Sequence, residues 1–175
     1  MIETRDIVKR HGSTTVLHGV TVQIPERQFT AIIGPNGAGK STLLSLVSRL
    51  MPISSGSASV AGLDVATTAS DALARVMAIL RQDNQSTLRL TVRDLVGFGR
   101  FPHSKGRMTE EDLRHVDEAL EYLHLQELAG RFLDELSGGQ RQRAYIAMVL
   151  CQDTPYIFLD EPLNNLDMAH AVTMM

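Results

Sequence analysis

Apolar residues alternate with polar ones or cluster in short β-rich runs at the start of the chain. The first runs are Ile2 to Val8 and Val20 to Ile24, and a third, Phe29 to Ile33, ends in a turn rich in glycine, proline and asparagine. The third run is continuous and apolar, so it predicts a buried strand. From Lys40 to Leu50 the period changes: Leu43, Leu44, Leu46, Val47 and Leu50 recur at helical spacing, with Pro52 as the stop. Strand, glycine loop and helix therefore follow one another directly. The small-residue stretch SSGSASVAGLDV predicts a hairpin, and Val76 to Leu80 a further apolar strand.

Beyond this point the pattern is mainly helical. Thr91 to Gly97 and Thr109 to His124 both read as helices, the second with Thr109 and Asp112 as an N-cap signature. Leu113, Val116, Leu120 and Leu123 recur at intervals of three and four, which gives that helix one apolar face. A third helix starts at Ser137, with Gln140 as capping-box partner, and runs to about Gln152. Tyr156 to Leu159 returns to a short apolar strand. The order is β-rich, then α-rich, then β again. It predicts an α/β core made of residues 1–86 and 153–175, carrying a helical insertion at 87–152, as one domain.

Composition narrows the function classes. A chain of 175 residues supports one globular core, and its 43% hydrophobic and 21% charged residues are those of an ordinary folded protein. The net charge of -3 provides no basic field for nucleic acid or anionic lipid. No apolar run approaches the ~18 residues of a membrane span, so membrane association is expected only through a partner. Cys151 is the single cysteine, which excludes an intramolecular disulfide, suits a cytosolic setting and, among Met148, Val149 and Leu150, reads as packing.

Two segments carry chemistry. GPNGAGKST, Gly34 to Thr42, fits the P-loop pattern of Gly, four residues, Gly-Lys and Ser/Thr, and it lies between a predicted strand and a predicted helix. Its glycines at 34, 37 and 39 let the backbone turn tightly and aim successive N–H groups inward, with Asn36 and Ala38 in the same loop. The helix starting near Lys40 adds the positive end of its dipole. Lys40 is placed to meet the β- and γ-phosphates of a nucleotide, and the Ser41 hydroxyl, next to Thr42, to ligate Mg²⁺. The second segment, YIFLDEP, is an apolar strand ending in two acids, the arrangement called Walker B. There Asp160 would hold Mg²⁺ and Glu161 would act as general base towards an attacking water.

LSGGQRQR, from Leu136, lies between these two, and the combination resembles the nucleotide-binding ATPase subunits of ABC transporters. The resemblance spans the chain, through the P-loop, Gln82 in the position of the Q-loop glutamine, the signature LSGGQ, Walker B and a D-loop-like LNNLD ending in Asp167. It implies a P-loop NTPase fold, with a RecA-like mixed sheet core, an N-terminal antiparallel β subdomain and an inserted helical subdomain. It also implies ATP and Mg²⁺ as cofactors and a head-to-tail homodimer. In that dimer Ser137, Gly138, Gly139 and Gln140 of one subunit would close over the nucleotide held by the other. Gln82 would ligate Mg²⁺ or position water, and Asp167 would bridge the subunits. Permease subunits and a substrate-binding protein are the implied partners, nucleic acid is not, and the implied location is the cytoplasmic face of the inner membrane.

The pattern also has departures. The adenine-stacking aromatic expected just before a glycine in the first strand region is His11 in VKRHG. Members of the family continue for several dozen residues past Walker B to a switch histidine, and none of the six histidines here is placed for that role, His170 included. The expectation is a C-terminally truncated chain, either still an ATPase or a non-catalytic fragment. TVRDLV followed by FGRFPH, together with EPLNNLD, is similar to the ATPases of ferric-siderophore and vitamin B12 type importers. The expected role is energising iron-chelate uptake, with another importer class as the alternative.

Overall fold

The computed structural model describes residues 1–82 and 89–161. It divides into two compact units, the first running Met1–Met77 and the second beginning at Ala78.

The first unit is built on an antiparallel sheet in the order β2-β1-β3-β4. Strands β1 (Ile2–His11) and β2 (Thr14–Ile24) form a hairpin, longer than the apolar runs predict because polar residues on the outer face continue the ladder. Strand β3 (Ser55–Val60) pairs with β1 and turns back into β4 (Leu63–Asp64), the predicted hairpin. Ile7, Leu17, Val60 and Val65 fill the core with Leu46 and Val47 of helix α1 (Lys40–Val47). Thr4 is buried in the sheet at no polar cost, since its hydroxyl donates to the Val20 carbonyl and accepts from the Val22 N–H. Helix α1 ends three residues before the expected Leu50. The Ser48 N–H still bonds the Leu44 carbonyl, but Arg49 turns to φ 60, so the chain leaves the helix well ahead of Pro52. A short helix α2 (Ser70–Ala74) leads to β5 (Met77–Leu80), within which the division into units falls.

The buried strand expected at Phe29 to Ile33 fails. Phe29 to Ile33 form no strand, and Phe29 is 86% and Ile33 89% exposed. A strand exists through the neighbour that satisfies its backbone, and the two sheets of the described residues, β2-β1-β3-β4 and β5-β6, both leave this run out.

The second unit packs helices α3 (Val92–Phe98), α4 (Phe101–Ser104), α5 (Glu110–Tyr122) and α6 (Gly138–Cys151) beside the pair of β5 and β6 (Tyr156–Leu159). Capping boxes start three of these helices: Thr91 with Asp94, Thr109 with Asp112, and Ser137 with Gln140. The core joins Leu80, Val92, Val96, Val116, Leu120 and Leu125 to Ala144, Ala147 and Val149 of α6. Leu113 departs from the predicted apolar face and is 45% exposed, while its neighbour Asp112 is buried. The reason is an ion pair: Asp112 accepts from Arg100 Nε at 2.8 Å, and Arg100 also donates to the Cys151 carbonyl at 3.1 Å. At Gly99 a Cβ would meet the Met148 carbonyl oxygen at 2.2 Å, so only glycine allows the chain after α3 to approach α6 this closely.

Candidate nucleotide-binding site

The loop from Gly34 to Gly39 leads into α1 with Gly39 as N-cap at φ 88. A side chain there is disfavoured twice, by the left-handed backbone and because its Cβ would meet Leu17 Cδ2 at 2.6 Å. The Ala38 N–H closes a turn on the Pro35 carbonyl at 3.2 Å, and the Leu43 N–H takes the Gly39 carbonyl at 2.8 Å. Lys40 curls back over this loop, its Nζ bonding the carbonyls of Gly34 and Pro35, both at 2.9 Å. These two partners of the ammonium are backbone dipoles, and the first turn of α1 holds no acidic residue. Positive charge at a helix N-terminus, wrapped by loop backbone, is chemistry that fits a phosphate chain. Gly34, Asn36, Gly37, Ala38, Ser41 and Thr42 are thus part of one local structure with Lys40. His11 is exposed at the end of β1, paired with Thr14.

In the second unit the ends of β5 and β6 lie side by side. The Asp160 N–H donates to the Leu80 carbonyl at 2.9 Å, and two residues past β5 the Gln82 amide Nε2 donates to Glu161 Oε2 at 2.7 Å. Glu161 has φ 50, a left-handed conformation that a non-glycine residue adopts only where its surroundings enforce it. The strand pairing thus brings Gln82 to the adjacent Asp160 and Glu161, from which it is far apart in sequence. An amide oxygen and carboxylates are hard oxygen donors of the kind that suits Mg²⁺.

The signature segment forms the start of α6. Ser137 Oγ accepts from the Gln140 N–H at 3.3 Å, and the Ser137 N–H donates to Gln140 Oε1 at 3.0 Å. Ser137 and Gly138 are exposed, a Cβ on Gly138 would meet nothing within 4 Å, and the first turn of α6 has no acid. The helix end is held from beneath by two arginines to which the sequence reading gave no role. Arg141 Nε donates to the Leu133 carbonyl at 3.0 Å, and Arg143 donates to the Leu123 carbonyl at 3.3 Å. Their signal was the RQR that follows the signature glycines, where the polar residues on the inner side of the helix need partners. Asp167 lies outside the described residues.

A glycine loop that caps a helix, with the helix's first lysine folded back onto the loop carbonyls, is the build of a P-loop in the first unit, and the second unit has carboxylates at the end of an apolar strand. The profile of the ABC transporter family matches residues 17–164. The chain belongs to that family, as one of its ATP-binding ATPase subunits. It is 54% identical over 175 residues to the petrobactin import ATP-binding protein YclP of Bacillus subtilis (strain 168), covering 100% of this chain and 69% of that protein. It is 44% identical over 167 residues to the ferric enterobactin transport ATP-binding protein FepC of Escherichia coli (strain K12), covering 94% of this chain and 62% of that one. Among solved structures, a dimeric ATP-binding cassette in a post-hydrolysis state bound to ADP and Pi superposes with a TM-score of 0.86 at 26% identity, over 99% of this chain and 79% of that one.

Proposed function

We propose that this chain binds Mg-ATP and hydrolyses it to energise an ABC importer of iron-siderophore complexes. The observation that carries the nucleotide reading is Lys40 curled over the carbonyls of Gly34 and Pro35 at an acid-free helix N-terminus. In this reading the Gly34–Thr42 loop takes the phosphates through its N–H groups and Lys40. Ser41, Gln82 and Asp160 supply oxygen donors to Mg²⁺, which would screen the phosphate charge. Glu161 accepts a proton from the attacking water, and its bond to Gln82 supports that role by holding the carboxylate at the end of β6. His11 stacks on the adenine.

Ser137, Gly138, Gly139 and Gln140 close over the γ-phosphate of a second copy in a head-to-tail dimer, and Asp167 bridges the two copies. The exposed, acid-free start of α6 supports this. Residues 1–86 and 153–175 serve as the α/β core and 87–152 as the helical subdomain. The iron-siderophore cargo rests on the relatives, whose names specify petrobactin and ferric enterobactin. No helix among the described residues is long and apolar enough to cross a membrane. As with relatives named as import and transport ATP-binding proteins, the chain would act from the cytoplasmic face, docked on permease subunits that receive cargo from a substrate-binding protein. Phe98 and Phe101, 49% and 59% exposed on α3 and α4, support a protein partner.

A second reading is nucleotide binding without turnover. It is favoured by the unpaired Phe29 to Ile33 run that leads into the P-loop, because a loop with a loose base orients phosphates poorly. The nucleotide assignment is tested with Lys40→Ala. Removing a charged donor to phosphate lowers ATP affinity about ten- to a hundredfold, and an unchanged affinity sinks the assignment.

A further inference from the structure

Helix α1 has little of its own to hold it in place. It is eight residues long, its N-cap Gly39 offers no side-chain cap, and its last turn has no basic residue. An isolated helix needs about 12–15 residues to persist in water. The run that leads into its loop, Phe29 to Ile33, is in no strand and lies exposed. The place of α1 is therefore set by what its two ends touch in the sheet.

Both ends meet the same cross-strand pair. Lys9 of β1 and Leu17 of β2 are register partners, so their side chains share one face of the sheet. Leu17, 5% exposed, packs at Gly39, where the helix begins. Lys9, 7% exposed, reaches the chain that leaves the other end, and its Nζ donates to the Pro52 carbonyl at 2.7 Å. Two further bonds fasten this stretch to β1: the Ser54 N–H donates to the Val8 carbonyl at 3.1 Å, and the Arg10 N–H to Ser54 Oγ at 3.0 Å. The Leu50 and Met51 N–H groups, both on the Ser45 carbonyl, join the stretch to the helix. Burying an ammonium costs free energy that an apolar residue at position 9 would not incur. Pro52 is exposed, so water could satisfy its carbonyl without Lys9. What the bond adds is a fixed place for the end of the helix.

We propose that Lys9 is a positioning residue of the nucleotide site, holding α1 from its C-terminal end so that Lys40 and Ser41 at the other end meet phosphate in a set place. This rests on the nucleotide reading of the P-loop, but the effect on α1 is measurable without nucleotide.

The experiment compares the full chain with Lys9→Met, Lys9→Arg and Ser54→Ala, each at a temperature where circular dichroism shows it folded. Mg-ATP affinity should fall about three- to tenfold in Lys9→Met and match the parent in Lys9→Arg, which keeps a cationic donor. Hydrogen exchange in Lys9→Met should rise at the Leu43 and Ser48 amides, which bond the Gly39 and Leu44 carbonyls. It should stay at the parent level at the Val22 amide, which bonds Thr4 Oγ1 within the sheet. Ser54→Ala removes the Arg10 tie alone; it should show the same pattern more weakly, and it carries the test if Lys9→Met does not fold. Unchanged exchange at Leu43, a rise at Val22 equal to that at Leu43, or an arginine variant as impaired as the methionine one overturns the proposal. Unchanged affinity in Lys9→Met, where the parent binds Mg-ATP, does so as well. A parent that binds no Mg-ATP overturns the nucleotide reading alone, and the exchange pattern then decides whether Lys9 positions α1.

Discussion

Replacing Arg100 with methionine tests the physical account of the second unit. Arg100 and Asp112 are 7% and 5% exposed in their side chains and meet at 2.8 Å, so both charges have left water. Asp112 is further satisfied by the N–H and hydroxyl of Thr109, at 2.9 and 2.8 Å, and Arg100 by the Cys151 carbonyl at the end of α6. Methionine fills much of the volume but leaves a buried carboxylate without its counter-charge and the Cys151 carbonyl without its donor. Breaking a buried pair from one side costs about 3–5 kcal/mol. At roughly 2–4 °C per kcal/mol for a chain of this size, melting should fall by roughly 6–20 °C. The assay is thermal unfolding at neutral pH, followed by circular dichroism, for Arg100→Met, Asp112→Leu and the double variant. The double variant has no orphaned charge, so it should recover most of the loss, short by about 1 kcal/mol for the capping contact with Thr109. A single variant melting within about 2 °C of the parent, or single losses that simply add in the double variant, refutes the reasoning.

Further outcomes follow from the same structure. The Thr109 N–H and the Arg100 guanidinium hold the Asp112 carboxyl down at about 2. Its folded value is thus below its unfolded one, and its contribution to stability is complete above about pH 4 and lost as pH falls towards 2; the acid limb of Tm against pH should be flatter for Asp112→Asn. Burial pushes the Cys151 thiol up to about 12, so a thiol reagent at pH 8 should label the folded chain far more slowly than the unfolded one, and rapid native labelling contradicts its place in the core. Ser137→Asp keeps a good N-cap and should melt within about 0.5 kcal/mol of the parent, whereas Ser137→Ala loses about 1 kcal/mol. If Ser137 faces phosphate, the aspartate variant nevertheless loses turnover through charge repulsion, and full turnover in it argues against that role.

The parts of the fold legible in the sequence are those set by local rules. Thr109 with Asp112 and Ser137 with Gln140 announce helix starts because their hydrogen bonds close within four residues, and both capping boxes are present. The P-loop is legible for the same reason, since glycines and a lysine at fixed spacing form the turn by themselves. Longer-range features were hidden. Nothing at Gln82 or Glu161 indicates that the two meet, because their contact depends on β5 pairing with β6. Asp112 looked like a capping residue only, while its burial depends on Arg100, twelve residues earlier. Spacing puts Leu113 on the apolar face of its helix, but the ion pair takes the buried position beside it. Phe29 to Ile33 misled for a related reason: hydrophobic composition states a preference for burial, whereas becoming a strand requires a partner edge.

If the P-loop, Gln82 and Glu161 serve ATP hydrolysis, the purified chain should turn over Mg-ATP and its Glu161→Gln variant should not. The variant's loss should be about a hundredfold or more, and both chains should retain ATP affinity. Equal turnover in parent and variant would contradict the role given to Glu161, and ATP binding without turnover in either would leave the chain a nucleotide-binding protein and not an ATPase.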